Sequence, residues 1–304
     1  MDLNIKEITA ITGDSIVIAD EPLFSHTTFR VGGAADLFVE PDSEKTTVEL
    51  IRYLIKNKIP YMVIGNGSNI LVSDKGYRGV IIALGKSFSL VDVAEDGVIS
   101  AEGGALLSTI AKRASENSLT GFEFAAGIPG SIGGATAMNA GAYGGEIENV
   151  ILEATILEAD GTIKICQPGQ LEFGYRTSNI IGKKRTVLSV RLRLIRGDRS
   201  EIENKMIDFA QKRRERQPLE LPSAGSTFKR PEGYFAGKLI EDAGLCGYRV
   251  GGAEISKKHC GFVVNAEGAT ASDIYILTEN VKRIIKDRFG VELEREVKLL
   301  GEFK

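Results

Sequence analysis

Between Gly121 and Gly145 the chain reads GFEFAAGIPGSIGGATAMNAGAYGG, rich in glycine and alanine and almost devoid of charge. Glycine loses more conformational freedom on folding than any other residue. A cluster therefore needs a backbone reason, either positive φ or close approach of something to the main chain. Pro129 fixes φ and removes a donor inside the same run. A flexible linker would be polar and serine-rich, whereas Ile128, Ile132, Met138 and Tyr143 interrupt this one. The expected structure is an ordered loop wrapped against a large ligand.

A second cluster, IGNGSN from Ile64 to Asn69, follows the short apolar strand YMVI. Its backbone N–H groups carry little side-chain bulk and suit a pyrophosphate. Taken alone, the stretch reads first as a tight structural turn. Two separated glycine-rich loops in one domain shift that balance, because together they suit a ligand as long as a dinucleotide. The spacing is not the GxGxxG that opens a helix with an acid beyond it, so another dinucleotide fold is expected.

Around these loops the periodicities alternate between helix and strand without a strict βαβ rhythm, which points to an α+β fold. DSEKTTVELIRYLIKNKIP is an amphipathic helix capped by Asp42 or Ser43, with Val48, Ile51, Leu54, Ile55 and Ile59 on its apolar stripe. GALLSTIAKRASEN repeats the helical spacing, and Asp96-Gly97 and Asp160-Gly161 turn two hairpins. RTVLSVRLRL alternates as a half-buried strand. A charged helix after Arg199 runs into two prolines, so a boundary is expected at 200, with 201–304 as a separate domain. That last part holds the helices FAGKLIEDAGLCG and ASDIYILTENVKRIIKDRFG and a final strand, VELEREVKLLG.

At 304 residues and net charge −3 the chain offers no basic surface for nucleic acid. No apolar stretch is long enough to span a bilayer, and the first residues do not read as a signal peptide, so a cytoplasmic monomer is expected. Cys166, Cys246 and Cys260 are odd in number and show no metal spacing, which reads as a reduced compartment.

Several short motifs carry candidate chemistry beside a bland alternative. Arg176 in GYRTSN can grip a carboxylate with two hydrogen bonds or form a surface ion pair. SAGSTFKRP exposes the Ser226 hydroxyl near Lys229 and Arg230, suited to a phosphate-bearing substrate or simply to a capped turn. Glu292, Glu294 and Glu296 share one face of the final strand, most simply a solvated one. His26 and His259 lie apart from any ligand cluster and read as structural. KRRER, from Lys212 to Arg216, reads as a solvated helix end or part of an anionic pocket.

In this order, TTFRVGG, IGNGSN, GIPGSIGGATAMNAGAYG, YRTSN, GSTFK and LEREV resemble the UDP-N-acetylenolpyruvoylglucosamine reductase family, from Ser25 to Gly301. The resemblance implies an FAD-binding region of the vanillyl-alcohol-oxidase type over 1–200, in two subdomains split near 97, and a substrate-binding domain over 201–304. It implies that Arg176, Ser226 and Glu296 are catalytic. FAD, held without a covalent bond, falls to Ile64, Gly65, Asn66, Gly67, Ser68 and Asn69, and to Gly127, Pro129, Gly130, Ser131, Gly133 and Gly134. The UDP-sugar falls to Tyr175, Lys229, Arg230 and His259, with NADPH as reductant and no metal. Arg230 stands where many members carry asparagine. The chain has no room for the tyrosine-bearing loop of longer members, so it is similar to the compact form.

Two other functions fit some of these residues. An FAD oxidase of the same fold would often tether its flavin through histidine or cysteine, and neither glycine-rich loop contains one. A non-catalytic flavin sensor would leave Arg176, Ser226 and Glu296 without a shared purpose.

Overall fold

A computed structural model describes residues 3–303. The chain forms two compact units. The first runs to Ala19 and takes Leu37–Asn66 and Gly79–Gln211; the second takes Asp20–Asp36, Gly67–Arg78 and the chain from Lys212 onward. The single boundary expected at 200 thus meets a discontinuous unit that also draws in two earlier segments.

The first unit has two cores. In one, strands Ile16–Pro22, Ala34–Glu40, Tyr77–Ala83 and Tyr61–Ile64 form a sheet in that order, the last two parallel with Tyr61 opposite Val80. Helices α1 (Ile5–Thr12) and α2 (Glu44–Lys56) contribute Ile8, Leu50, Ile51 and Leu54 to its buried face. The Ser43 hydroxyl accepts from the Thr46 amide at the start of α2, as an N-cap should. In the other, strands Ile163–Cys166, Ile151–Leu157, Thr186–Arg193, Val98–Glu102 and Val91–Val93 form an antiparallel sheet in that order. Helix α3 (Leu107–Glu116) brings Leu107, Ile110, Ala111 and Ala114 against it, in the helical spacing of GALLSTIAKRASEN.

The glycine-rich run is more regular than the expected loop. It contains helix α4 (Ile132–Met138), capped by Ser131, and a two-stranded ribbon of Gly141–Ala142 with Gly145–Glu146. Glycine is a poor helix former, which hides α4 from a propensity reading. Here the backbone of residues 103–107 organises it. The Leu107 amide donates to the Gly130 carbonyl, and the Ile132 and Gly133 amides donate to Ala105 and Gly103, at 3.0, 2.8 and 2.9 Å. A Cβ on Gly133 would stand 2.8 Å from the Gly103 oxygen, so only glycine permits this approach. A short helix, α5 (Asn179–Gly182), follows the YRTSN segment.

Helix α6 (Arg199–Arg216) buries only Ile202 and is otherwise the charged helix expected. Within the second unit, α7 (Ala236–Asp242) and α8 (Ala271–Phe289) share a core with Phe29, Val31, Leu71, Ile255 and Val297. The early segments are tied in by specific bonds. Strand Ile70–Val72 pairs parallel with Lys298–Leu300. The Asp74 carboxylate accepts from the Ala271 and Ser272 amides at 2.7 and 2.8 Å, capping α8 with charge of the right sign for a helix N-terminus. The final strand is shorter than expected and covers only Lys298–Leu300. Before it, the backbone makes single links to Thr227 and Lys229 rather than a continuous ladder.

The three cysteines do not all stay reduced. Cys246 and Cys260, 14 apart in sequence, form a disulfide with Cα atoms 5.6 Å apart, while Cys166 is free and buried. Sequence spacing missed the pair because folding, not adjacency, brings the turn after α7 next to the His259–Gly261 loop. Among the described residues no helix is long and apolar enough to cross a membrane.

In unfolded protein kept from reductant, thiol titration should find the Cys166 group alone, and all three groups after a dithiol is added. Replacing both Cys246 and Cys260 by serine should lower the unfolding free energy by about 3 kcal/mol, the scale set by closing a loop of this length. Three reactive thiols without reductant would exclude the bond.

Candidate functional site

In the first unit, Ile64–Asn66 and Pro129–Ser131 are stitched together. The Asn66 side chain donates through Nδ2 to the Pro129 carbonyl at 2.8 Å. A side chain on Gly65 would collide with the Ser131 hydroxyl, which itself faces the Gly134 amide at 3.5 Å as the α4 cap. Among the described residues the Gly65 and Asn66 N–H groups have no protein acceptor, whereas those of Ile132 and Gly133 are spent on the 103–105 backbone. In the second unit, Gly67 lies against the His26 carbonyl where a Cβ cannot fit, and its own carbonyl accepts from Thr28 N. Gly67, Ser68 and Asn69 likewise keep N–H groups that meet no protein acceptor among the described residues.

Gly134 differs from Gly133. It is exposed, and a Cβ there would meet nothing nearer than Ser131 Oγ at 3.6 Å. Packing therefore does not require glycine at 134, although glycine costs about 1 kcal/mol against alanine inside a helix. A surface kept bare without a protein reason fits a ligand that lies on it. The unspent amides of the IGNGSN loop fit an anionic group.

Arg176 sits in the same unit, within the tight Gly174–Thr177 turn, and adopts φ +54°. Its Nη2 donates to the Gly141 carbonyl at 2.7 Å and its Nη1 to that of Asn139 at 3.5 Å, with Glu146 Oε1 3.9 Å from Nη1. The guanidinium lies 5.0 Å from the ring of Tyr175, which is itself half exposed. Asn139 and Glu146 were not singled out in the sequence. The only available signal was an amide side chain stranded among alanines and glycines.

In the second unit Thr227 is the organiser. Its amide donates to Gly261, its carbonyl accepts from the Glu296 amide, both at 2.9 Å, and its buried hydroxyl accepts from Val263 N at 3.0 Å. Extended backbone alternates its side chains, so Ser226 is exposed beside buried Thr227. The same links set Glu296 next to this segment, with its own carbonyl accepting from Asn69 at 3.3 Å. Lys229 pairs with Glu294 at 2.7 Å. Glu292 instead pairs with Lys286 across the end of α8, so the three acids do not act as one face. Arg230 packs 3.9 Å over the Phe235 ring and donates to the Tyr234 carbonyl at 3.3 Å.

His259 accepts from the Gly261 amide through Nδ1 at 3.0 Å and meets Phe262 edge-on. Burial holds its imidazole below the usual histidine range, so it stays neutral at physiological pH. His26 is paired with Glu21 at 2.8 Å. Among the described residues no cluster of three or more His, Cys, Asp or Glu side chains could hold a metal ion.

Residues 217–300 match the family model described as UDP-N-acetylenolpyruvoylglucosamine reductase, C-terminal domain, and residues 35–167 match that of an FAD binding domain. A UDP-N-acetylenolpyruvoylglucosamine reductase of Agathobacter rectalis is 50% identical over 310 aligned residues, covering 98% of each chain. One from Caldanaerobacter subterraneus is 46% identical and covers 99% of each. The crystal structure of the Thermus caldophilus UDP-N-acetylenolpyruvylglucosamine reductase gives a TM-score of 0.80 at 34% identity, covering 94% of this chain and 99% of that one. An alkyldihydroxyacetonephosphate synthase, at 15% identity and a TM-score of 0.50 over 64% of this chain, shares the fold alone.

Gly134→Leu should leave the flavin-free protein at least as heat-stable as the parent while sharply lowering the flavin it retains on purification. If that variant keeps a full complement of flavin, the bare face of α4 has another purpose.

Proposed function

Because the chain belongs to the UDP-N-acetylenolpyruvoylglucosamine reductase family, we propose that it performs the NADPH-dependent, FAD-mediated reduction of UDP-N-acetylglucosamine enolpyruvate to UDP-N-acetylmuramate in peptidoglycan biosynthesis. The observation that carries this reading is near-full-length identity of 50% to a reductase of that name, joined to the exposed Ser226 on a segment bonded directly to Glu296. Ile64–Asn69, with Gly127, Pro129, Gly130, Ser131, Gly133 and Gly134, would hold FAD, which supplies hydride chemistry that protein side chains lack. The UDP-sugar falls to Tyr175, Lys229, Arg230 and His259. The enzyme acts as a cytoplasmic monomer, which equilibrium sedimentation can test.

The substrate is an alkene conjugated to a carboxylate, and its reduction puts negative charge on the α carbon and the carboxylate oxygens. Arg176 answers that charge through its guanidinium, a planar fork that matches a carboxylate. Its orientation is set beforehand by the Asn139 and Gly141 carbonyls. Ser226 hands the proton of its hydroxyl to the α carbon. Serine is a weak acid in water, but an enolate-like carbanion is a strong base, so a well-placed hydroxyl suffices. An ionised carboxylate beside that carbanion would repel it, so Glu296 serves either protonated or by holding another donor in place.

The two half-reactions separate these roles. Reduction of the flavin by NADPH needs no proton delivered to carbon, so Ser226→Ala should retain it at near the parental rate. Reoxidation by the enolpyruvyl substrate should slow by about 10² or more, with partial recovery in Ser226→Cys. Stopped-flow absorbance reads both phases in one protein, and equal slowing of both would mean that Ser226 only shapes the site.

Arg176→Lys keeps the charge and loses the fork. It should impair reoxidation while leaving reduction intact, and unchanged turnover in that variant would refute the two-pronged grip.

A further inference from the structure

Asn139 is fully buried, uncharged and placed at the end of α4 in the left-handed conformation, φ 42° and ψ 56°. All its polar atoms are committed. Its Oδ1 accepts from the Glu148 amide at 3.0 Å. Its Nδ2 faces Glu146 Oε2 at 3.0 Å, the Gly174 carbonyl at 3.2 Å and Glu148 Oε2 at 3.4 Å. Two of these bonds lead to Arg176. Gly174 opens the turn that carries Arg176, and Glu146 presents its other carboxylate oxygen to the Arg176 guanidinium. The main-chain carbonyls of Asn139 and Gly141 receive that guanidinium directly.

We propose that Asn139 is the positioning residue for Arg176, fixing through one amide side chain both the backbone turn that carries the arginine and the acceptors that aim it. The proposal rests on the reading of Arg176 as the residue that grips the substrate carboxylate. Only a carboxamide meets the requirement. The site needs one acceptor for the Glu148 amide, and donors for a carbonyl and a carboxylate, without added charge. Aspartate keeps the acceptor but sets a further negative group against Glu146 and Glu148. Leucine or alanine strands the Glu148 amide and the Gly174 carbonyl in a buried place.

Asn139→Gly is the backbone-preserving test, because glycine keeps the left-handed conformation and the loss then comes from the side chain and the partners it leaves. Its flavin content and its reduction by NADPH should match the parent. Its KM for the enolpyruvyl substrate should rise about tenfold or more, the scale of losing a pre-set orientation. The Kd read from the flavin spectrum on titrating substrate into oxidised enzyme should rise in parallel. Asn139→Asp should show the same loss at neutral pH and recover as the pH falls into the carboxylate range, whereas a packing defect would not. It also serves if the glycine variant fails to fold.

In an Arg176→Ala background, Asn139→Gly should add nothing further, since its effect passes through the arginine. Fully additive losses overturn the proposal, as does an equal fall in flavin reduction, which would make Asn139 a scaffold residue. Arg176→Ala with an unaltered Kd and KM is a different failure. It removes the reading of Arg176 itself, whatever Asn139 does.

Discussion

The Gly133 amide meets the Gly103 carbonyl at 2.9 Å, with no space for a Cβ between the two backbones. Much of the first unit's site depends on that approach. It fixes where α4 starts, so Ser131 faces Gly65 and the 129–131 segment reaches Asn66. It also fixes where α4 ends, seven residues long, at Asn139. The carbonyls beyond that end receive Arg176. A helix this short and this rich in glycine has little stability of its own. Ile132 and Ala135, buried in the larger core, supply what propensity does not.

The second unit uses a different device for the same purpose. Thr227 spends its amide, carbonyl and hydroxyl on two separate segments, 261–263 and the stretch at Glu296, and its neighbour Ser226 is thereby left facing solvent on a strand-like stretch. Asp74 and the parallel pair of Ile70–Val72 with Lys298–Leu300 bind an early part of the chain to the last one. Hydrogen bonds made by one residue to distant partners are costly to break together, because each orphaned group would be buried without water.

Long helices and strands with clean periodicity were legible in the sequence. α2 and α8 carry their caps and stripes in view, down to Ser43 and Gly290, and α3 its stripe alone. Less legible were elements whose order comes from tertiary contacts. α4 looks like loop because glycine and alanine carry no stripe, and 291–297 looks like strand because its alternation survives without a ladder. The catalytic candidates Arg176, Ser226 and Glu296 are named from short distinctive motifs, which need no tertiary information. Asn139 and the Cys246–Cys260 bond were not legible, since each owes its significance to partners that sequence spacing does not reveal.

The strain in the first unit points the same way as its hydrogen bonds. Asn139, Tyr143 and Arg176 all hold positive φ, at 42°, 51° and 54°. Asparagine tolerates that region, but arginine and tyrosine have no local side-chain bond to favour it. Such residues persist where the surroundings over-determine them, at a cost of order 1–3 kcal/mol each. Here the surroundings are identifiable. Tyr143 is stacked on Phe209 at 4.3 Å, and Arg176 is pinned by two carbonyls from the segment that Asn139 terminates. A relaxed backbone at residue 176 would swing the guanidinium away from those acceptors. The unfavourable conformation therefore does what a flexible arginine cannot, which is to hold the guanidinium in one direction against those two carbonyls.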